Sequence, residues 1–177
     1  IDLYQLHWPN RPHYQFGQHW NFDPSSVNTQ AELQNFMEVL ETLHDLMRMG
    51  KIRHIGVSNE TAWGLMRYLR LSDEKRLPRM ASIQNEYNLT CRLFEPDLAE
   101  IAHHEQVGLL AYSPLSTGAI SGKYLNGALP EGSRRTLPQR NTHRVNPITD
   151  MAIAAYINVA RKHHLDVCQM ALAFVLS

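Results

Sequence analysis

Strand-like and helix-like patterns alternate along this chain, and that alternation limits the possible folds more than any other feature. Ile1-Asp2-Leu3-Tyr4-Gln5-Leu6 predicts a strand over 1–6. Further strands are predicted over 52–57, 81–84 and 107–112, so the last three begin 29 and 26 residues apart. Between them, Leu33, Phe36, Met37, Leu40, Leu43 and Met47 recur at helical spacing and predict a helix over 31–49, with Gly50 as its stop. A second helix is predicted over 62–72, with Leu65, Met66 and Leu69 on one face and Leu77-Pro78 as the break. A third covers 96–105, and two more, over 148–163 and 168–177, close the chain. One strand plus one helix at this pitch implies parallel strands joined by right-handed crossovers.

Two architectures meet that pattern, a doubly wound open sheet and a (β/α)8 TIM barrel. No G-x-G-x-x-G follows any strand, which counts against the dinucleotide site of the open sheet. A full barrel needs about 250 residues. The 177 residues therefore read as an incomplete α/β barrel, part of a single barrel domain. The chain opens on Ile1 without a lead-in and stops inside the apolar run 170–177, which reads as an internal piece of a longer protein.

Composition removes several functional classes. Lys plus Arg and Asp plus Glu number 17 each, so the formal charge is zero. That excludes binding driven by phosphate neutralisation of a nucleic acid, and a polybasic membrane anchor. No apolar run approaches the ~20 residues of a membrane span. Cys91 and Cys168 are far apart, with no C-x-x-C, so a disulfide framework is not expected and a reducing cytoplasm is the default location.

In a barrel the active site lies at the carboxyl ends of the strands. The residues there are His7 and Trp8, then Ser58 and Asn59, then Gln84 and Asn85, then Tyr112 and Ser113. None is acidic and none forms a cluster with metal-ligand spacing, so no metal is expected and a paired-carboxylate glycosidase is improbable. An imidazole at His7 can donate to a carbonyl oxygen, or it can simply bond a backbone carbonyl at the rim. Ser58, Asn59 and Gln84 offer donors and acceptors suited to an amide-bearing ligand, although Ser58-Asn59 also reads as helix capping. Tyr112 can stack on a flat ring or serve as core. Gly118, Gly122, Lys123, Arg134 and Arg135 make the loop of 113–147 flexible and basic, able to close over phosphates or to stand solvated.

The motifs together carry a resemblance. Ile1-Asp2-Leu3-Tyr4-Gln5-Leu6-His7-Trp8-Pro9 resembles the fourth barrel strand of the aldo-keto reductases, ending in their active-site His. Gly50-Lys51-Ile52-Arg53-His54-Ile55-Gly56-Val57-Ser58-Asn59 resembles the next strand and turn. Ile83-Gln84-Asn85-Glu86-Tyr87-Asn88, and Tyr112-Ser113-Pro114-Leu115 with Gly122-Lys123-Tyr124, resemble the two after that. The resemblance implies about strands 4 to 7 of a barrel that binds NADP(H) in extended form. It implies that His7 polarises a substrate carbonyl and that Trp8 walls the substrate pocket. Ser58, Asn59 and Gln84 would hold the nicotinamide carboxamide and Tyr112 would stack on its ring. Ser113, Pro114, Leu115, Ser116 and Gly118, with Lys123 and Arg134, would line the pyrophosphate path.

The implied activity is NADPH-dependent reduction of an aldehyde or ketone, with a small-molecule carbonyl substrate as the partner. The family's proton-donating Tyr, with its Asp and Lys, comes from earlier strands, so residues 1–177 alone are expected to lack turnover. A second reading is a non-catalytic NADPH-binding regulatory subunit similar to the potassium-channel beta subunits; a third is an inactive remnant. Tyr14, Phe16, Trp20 and Phe22, in the long connector after Trp8, point to a pocket for flat or apolar carbonyls.

Overall fold

The computed structural model describes residues 1–13, 22–137 and 146–177. Contacts divide the chain into two compact units, Ile1–Asn85 with Glu95–Leu110, and Glu86–Phe94 with Ala111–Ser177.

The first unit holds a four-stranded parallel sheet in the order β1-β2-β3-β4. The strands are β1 (Leu3–Leu6), β2 (His54–Ser58), β3 (Met80–Gln84) and β4 (Gly108–Leu109). Helices α1 (Thr29–Arg48), α2 (Ala62–Lys75) and α3 (Leu98–His104) follow the first three strands. This is the crossover pattern that the sequence predicts, an α/β fold consistent with part of a TIM barrel.

Local chemistry sets the helix ends. The Asn28 side chain accepts from Ala31 N at 3.1 Å and starts α1 two residues before the first apolar position. Gly50, at φ 70°, lets the chain turn away, and Lys51 N donates back to Leu46 O at 3.0 Å. Helix α2 runs one turn past its predicted end at Ser72, because Arg76 adopts the left-handed conformation and closes it just before Pro78. Within α2, Leu65 and Leu69 are buried as predicted, whereas Met66, placed with them in the sequence reading, is 39% exposed. A step of 100° per residue carries it off the buried stripe. Phe36 of α1 packs edge-on against Tyr68 of α2, with ring centroids 4.5 Å apart.

Strand β4 is shorter than the predicted 107–112. Its pairs are Ser82↔Gly108 and Ile83↔Leu109, and Leu110 N still donates to Ile83 O at 2.9 Å. The register of β2 against β3 shifts between Ile55↔Met80 and Gly56↔Ser82, and Ala81 is the extra residue. That shift places Ile55, Val57, Met80 and Ile83 in the buried layer and leaves Gln5, Gly56 and Ser82 level with one another on the other face.

The second unit carries helices α4 (Pro147–Lys162) and α5 (Val167–Leu176) and three short 3₁₀ segments, Ser116–Ser121, Leu125–Gly127 and Arg134–Thr136. Its core joins Ala119, Tyr124 and Ile153, with Leu125 and Ile157 against them. Asn146 caps α4 and Asp166 caps α5. The Tyr156 hydroxyl donates to Leu89 O at 2.9 Å, and Tyr87 stacks on Phe174 with centroids 5.4 Å apart. Among the described residues, no helix is long and apolar enough to cross a membrane.

Candidate functional site

The carboxyl ends of β1, β2 and β3 bring His7, Ser58, Asn59 and Gln84 into one hydrogen-bonded rim. The parallel register ends at Leu6↔Val57 on the first side and at Ser58↔Gln84 on the other. Ser58 is buried, and its hydroxyl donates to Gln84 O at 2.7 Å. Asn59 takes a φ of 54°, the left-handed conformation that Asn tolerates better than most residues. From there its Nδ2 donates to His7 O at 2.9 Å and to Ser58 Oγ at 3.2 Å, and its backbone N donates to Gln84 O at 3.0 Å. His7 is exposed and stacks on Trp8 with ring centroids 4.4 Å apart at 23°.

These contacts refine the sequence reading. Both amide hydrogens of Asn59 and the hydroxyl hydrogen of Ser58 are committed within the rim. The two residues are therefore fixed in place before any ligand arrives. The capping alternative falls instead to Thr61, whose side chain accepts from Gly64 N. Asn85 brackets the same turn: its Oδ1 accepts from Glu60 N at 3.2 Å and its Nδ2 donates to Glu60 O at 2.9 Å.

One pair near this turn escaped the sequence reading. Arg11 and Glu60 form a buried ion pair, with side chains 7% and 2% exposed. The signal that points to it is Gly64, a lone glycine inside a helical run, which usually has a packing reason. His13 Nε2 lies 3.1 Å from Asn59 O. Burial lowers the pKa of His13 below its ordinary 6.5, outweighing the Asn59 carbonyl and Glu60, which favour the cation.

His13 also borders a cavity of about 600 Å3, lined by Phe22, Thr29, Glu32, Trp63 and others of this unit. Tyr14, Phe16 and Trp20 lie outside the described residues.

The remaining predicted site residues belong to the second unit. Tyr112, Ser113, Pro114 and Leu115 are each half-buried. Tyr112 pairs with Glu86 in a parallel bridge, and Ser113 O accepts from Asn88 Nδ2 at 2.9 Å. Ser116 is fully buried, its hydroxyl accepts from Thr90 Oγ1 at 2.8 Å and its backbone N donates to Ser113 O at 2.8 Å, so, against the expectation from the sequence, the fold does not offer it to a ligand.

Ser113, Ser116, Thr117 and Gly118 all have positive φ, between 50° and 92°. Ser116 N donates to Ser113 O at 2.8 Å and Gly118 N to Leu115 O at 2.9 Å, so these backbone groups close tight turns within the loop. A Cβ at Gly118 would meet Lys123 Cε at 3.4 Å and Nζ at 3.5 Å, so the lysine folds back over this glycine. Lys123 and Arg134 are exposed. The Arg135 guanidinium lies 4.1 Å from the centroid of the buried Tyr124 ring, which anchors the Arg134 segment to the residue after Lys123. The exposed charges of Lys123 and Arg134 suit the diphosphate of a dinucleotide.

A parallel strand-helix repeat with this rim at its carboxyl end agrees with comparison to known proteins. The aldo/keto reductase family model matches residues 1–177, and the chain belongs to that family. It is 51% identical over 175 residues to the protein tas of Escherichia coli K12, covering 99% of this chain and 49% of that protein. An aldo-keto reductase of Babesia bovis is 34% identical over 187 residues, 100% of this chain and 65% of its own length. The NADH-specific methylglyoxal reductase of Escherichia coli K12 is 24% identical over 176 residues, covering 99% of this chain and 46% of that protein. The chain thus spans about half to two-thirds of the length of these relatives.

Proposed function

We propose that the protein containing this chain reduces aldehyde or ketone carbonyls to alcohols with NADPH. The observation that carries the reading is the rim itself. Asn59 bonds at once to the His7 carbonyl and to Ser58, and Ser58 bonds to Gln84, so a carbonyl-polarising imidazole and a set of amide-binding groups share one fixed frame. When bound, the reduced nicotinamide supplies the hydride.

The remaining residues are proposed in the roles that the resemblance implies. Gln84 holds the carboxamide from the end of β3, with Ser58 and Asn59 beside it. Tyr112 stacks on the ring. The loop of Ser113, Pro114, Leu115 and Gly118 would border the diphosphate, and Lys123 and Arg134 would offer charge. His7 donates a hydrogen bond to the carbonyl oxygen of the substrate. That bond polarises the C=O bond and stabilises the negative charge that grows on oxygen as the carbon is reduced. Trp8, stacked on His7, keeps the imidazole in orientation and walls the substrate side.

The test separates the two roles in the full-length protein. His7→Ala lowers kcat by about 10²–10⁴-fold and leaves the NADPH Kd within about twofold. Gln84→Ala removes about one hydrogen bond and weakens NADPH binding by about 5–10-fold. Carbonyl reduction at the parental rate by the His7→Ala variant would sink the assignment.

A further inference from the structure

Two segments of the first unit are joined by more than the sheet requires. The β1–β2 register ends at Leu6↔Val57, yet residues 7–13 and 58–61 meet again at three points beyond it. His7 O accepts from Asn59 Nδ2, and His13 Nε2 contacts Asn59 O. The third point is the Arg11–Glu60 pair. Arg11 Nη1 donates to Glu60 Oε2 at 3.0 Å, Nη2 donates to Oε1, and Nη2 also reaches Thr61 Oγ1 at 3.1 Å. The guanidinium lies over the rings of Trp63 and Phe36, 5.1 and 5.3 Å from their centroids. Gly64 gives the pair its space, since a Cβ there would fall inside contact distance of Glu60 Oε1 and Arg11 Nη2.

A buried ion pair is a poor way to gain stability, because desolvating two charges cancels most of their attraction. A pair of apolar side chains in the same space would hold the fold as well. What a two-pronged guanidinium–carboxylate contact adds is a fixed direction and distance. Here it fixes the loop after His7 to the turn that carries Ser58 and Asn59, and Asn85 holds the far side of that turn.

We propose that Arg11 is a positioning residue: through Glu60 it sets the placement of the His7 segment relative to the Ser58-Asn59 turn. This rests on the roles assigned above to His7, Ser58 and Asn59. Near-attack geometry is steep in distance, and a shift of about 1 Å can cost about 100-fold in rate. The clamp therefore acts on kcat more than on cofactor affinity.

The experiment uses the full-length protein and compares Arg11→Met with the double variant Arg11→Met/Glu60→Gln. The single variant strands a buried carboxylate and lowers Tm. The double variant removes both charges at similar volume and returns Tm to near the parental value. Three quantities are then read on the double variant: kcat, the NADPH Kd, and amide hydrogen exchange in peptides covering 7–13 and 58–61. The expected result is a kcat lowered about 10-fold or more, an NADPH Kd changed by less than that factor, and faster exchange in both segments. A double variant with parental kcat, or with parental exchange in either segment, overturns the proposal. If the double variant does not fold, Arg11→Lys keeps the charge and loses the second prong. The same three quantities are then read on it, and parental kcat or parental exchange again overturns the proposal. If the parental protein reduces no carbonyl with NADPH, the functional reading falls by itself, and exchange alone then decides whether the clamp couples the two segments.

Discussion

Gly56→Ala would reverse the sign that propensity assigns to it. In the interior of a strand, Ala is ordinarily about 0.5–1 kcal/mol more favourable than Gly, because the unfolded glycine chain has more freedom to lose. Gly56 sits in the middle of β2, level with Gln5 on one side and Ser82 on the other. A Cβ there would meet the Ser82 carbonyl oxygen at 2.9 Å and Gln5 Cγ at 3.4 Å, and would overlap Ser82 Oγ. The hydroxyl can rotate away, but the carbonyl belongs to β3 and cannot. Overpacking of this kind costs about 1–3 kcal/mol. Rotation of the Ser82 hydroxyl also breaks the Gln5 Nε2–Ser82 Oγ hydrogen bond of 3.3 Å, worth about 1 kcal/mol. The net expectation is a destabilisation of about 2 kcal/mol once the propensity gain is subtracted.

Urea unfolding of the full-length protein, parent against Gly56→Ala, measures it. Adding Ser82→Ala should recover only part of the loss, because the carbonyl contact remains. The strain lies two pairs below Ser58↔Gln84, so NADPH affinity should fall with stability. A Gly56→Ala variant as stable as the parent, or more stable, would refute the close approach of the strands on which this reasoning depends.

Other expectations follow from the same unit. Gly64→Ala, normally a gain of about 1 kcal/mol in a helix interior, should instead lower stability by more than that, because its Cβ displaces the Arg11–Glu60 pair; a raised unfolding midpoint would contradict this. The depressed pKa of His13 makes its neutral form the one the fold favours, so its contribution is present above pH 6.5 and is lost as pH falls below that value. Stability profiles of the parent and His13→Gln should therefore converge on acidification below 6.5, and parallel profiles would show that His13 is not the group responsible. In the second unit, burial raises the Cys168 thiol pKa and Asp166 adds to that, so alkylation of native Cys168 near neutral pH should be slower than that of a free thiol. Rapid modification of the folded protein would count against that environment.

How far the sequence reached depended on whether the determining contacts were periodic. Strands β1, β2 and β3 and the helices after them are each set by a pattern of apolar residues, and each lies within a few residues of its predicted place. Strand β4 was overestimated because Leu110, Ala111 and Tyr112 continue an apolar run, whereas the regular ladder ends at Ile83↔Leu109 and Tyr112 keeps only an isolated bridge to Glu86. The position of His7, Ser58, Asn59 and Gln84 at strand ends was legible from the same periodicity. Their bonding was not, because Ser58 and Asn59 spend their donors mainly on backbone carbonyls of Gln84 and His7, and a carbonyl has no residue signature. The Arg11–Glu60 pair was invisible for another reason. Its partners stand 49 residues apart, and single charged residues in loops and turns read as solvated until a tertiary contact buries them. Ser116 is the same error in reverse: a serine in a loop suited to phosphate looked open to ligand, and the fold buries it against Thr90.

The most direct measurement follows the hydride. The full-length protein would be incubated with NADPH carrying deuterium at the transferable position, together with an aromatic aldehyde, and the products resolved by NMR. Deuterium is expected on the carbinol carbon of the alcohol as NADPH is oxidised, and His7→Ala is expected to slow that arrival without loosening NADPH. Alcohol free of deuterium, or NADPH that binds and is never oxidised by any carbonyl, would contradict it.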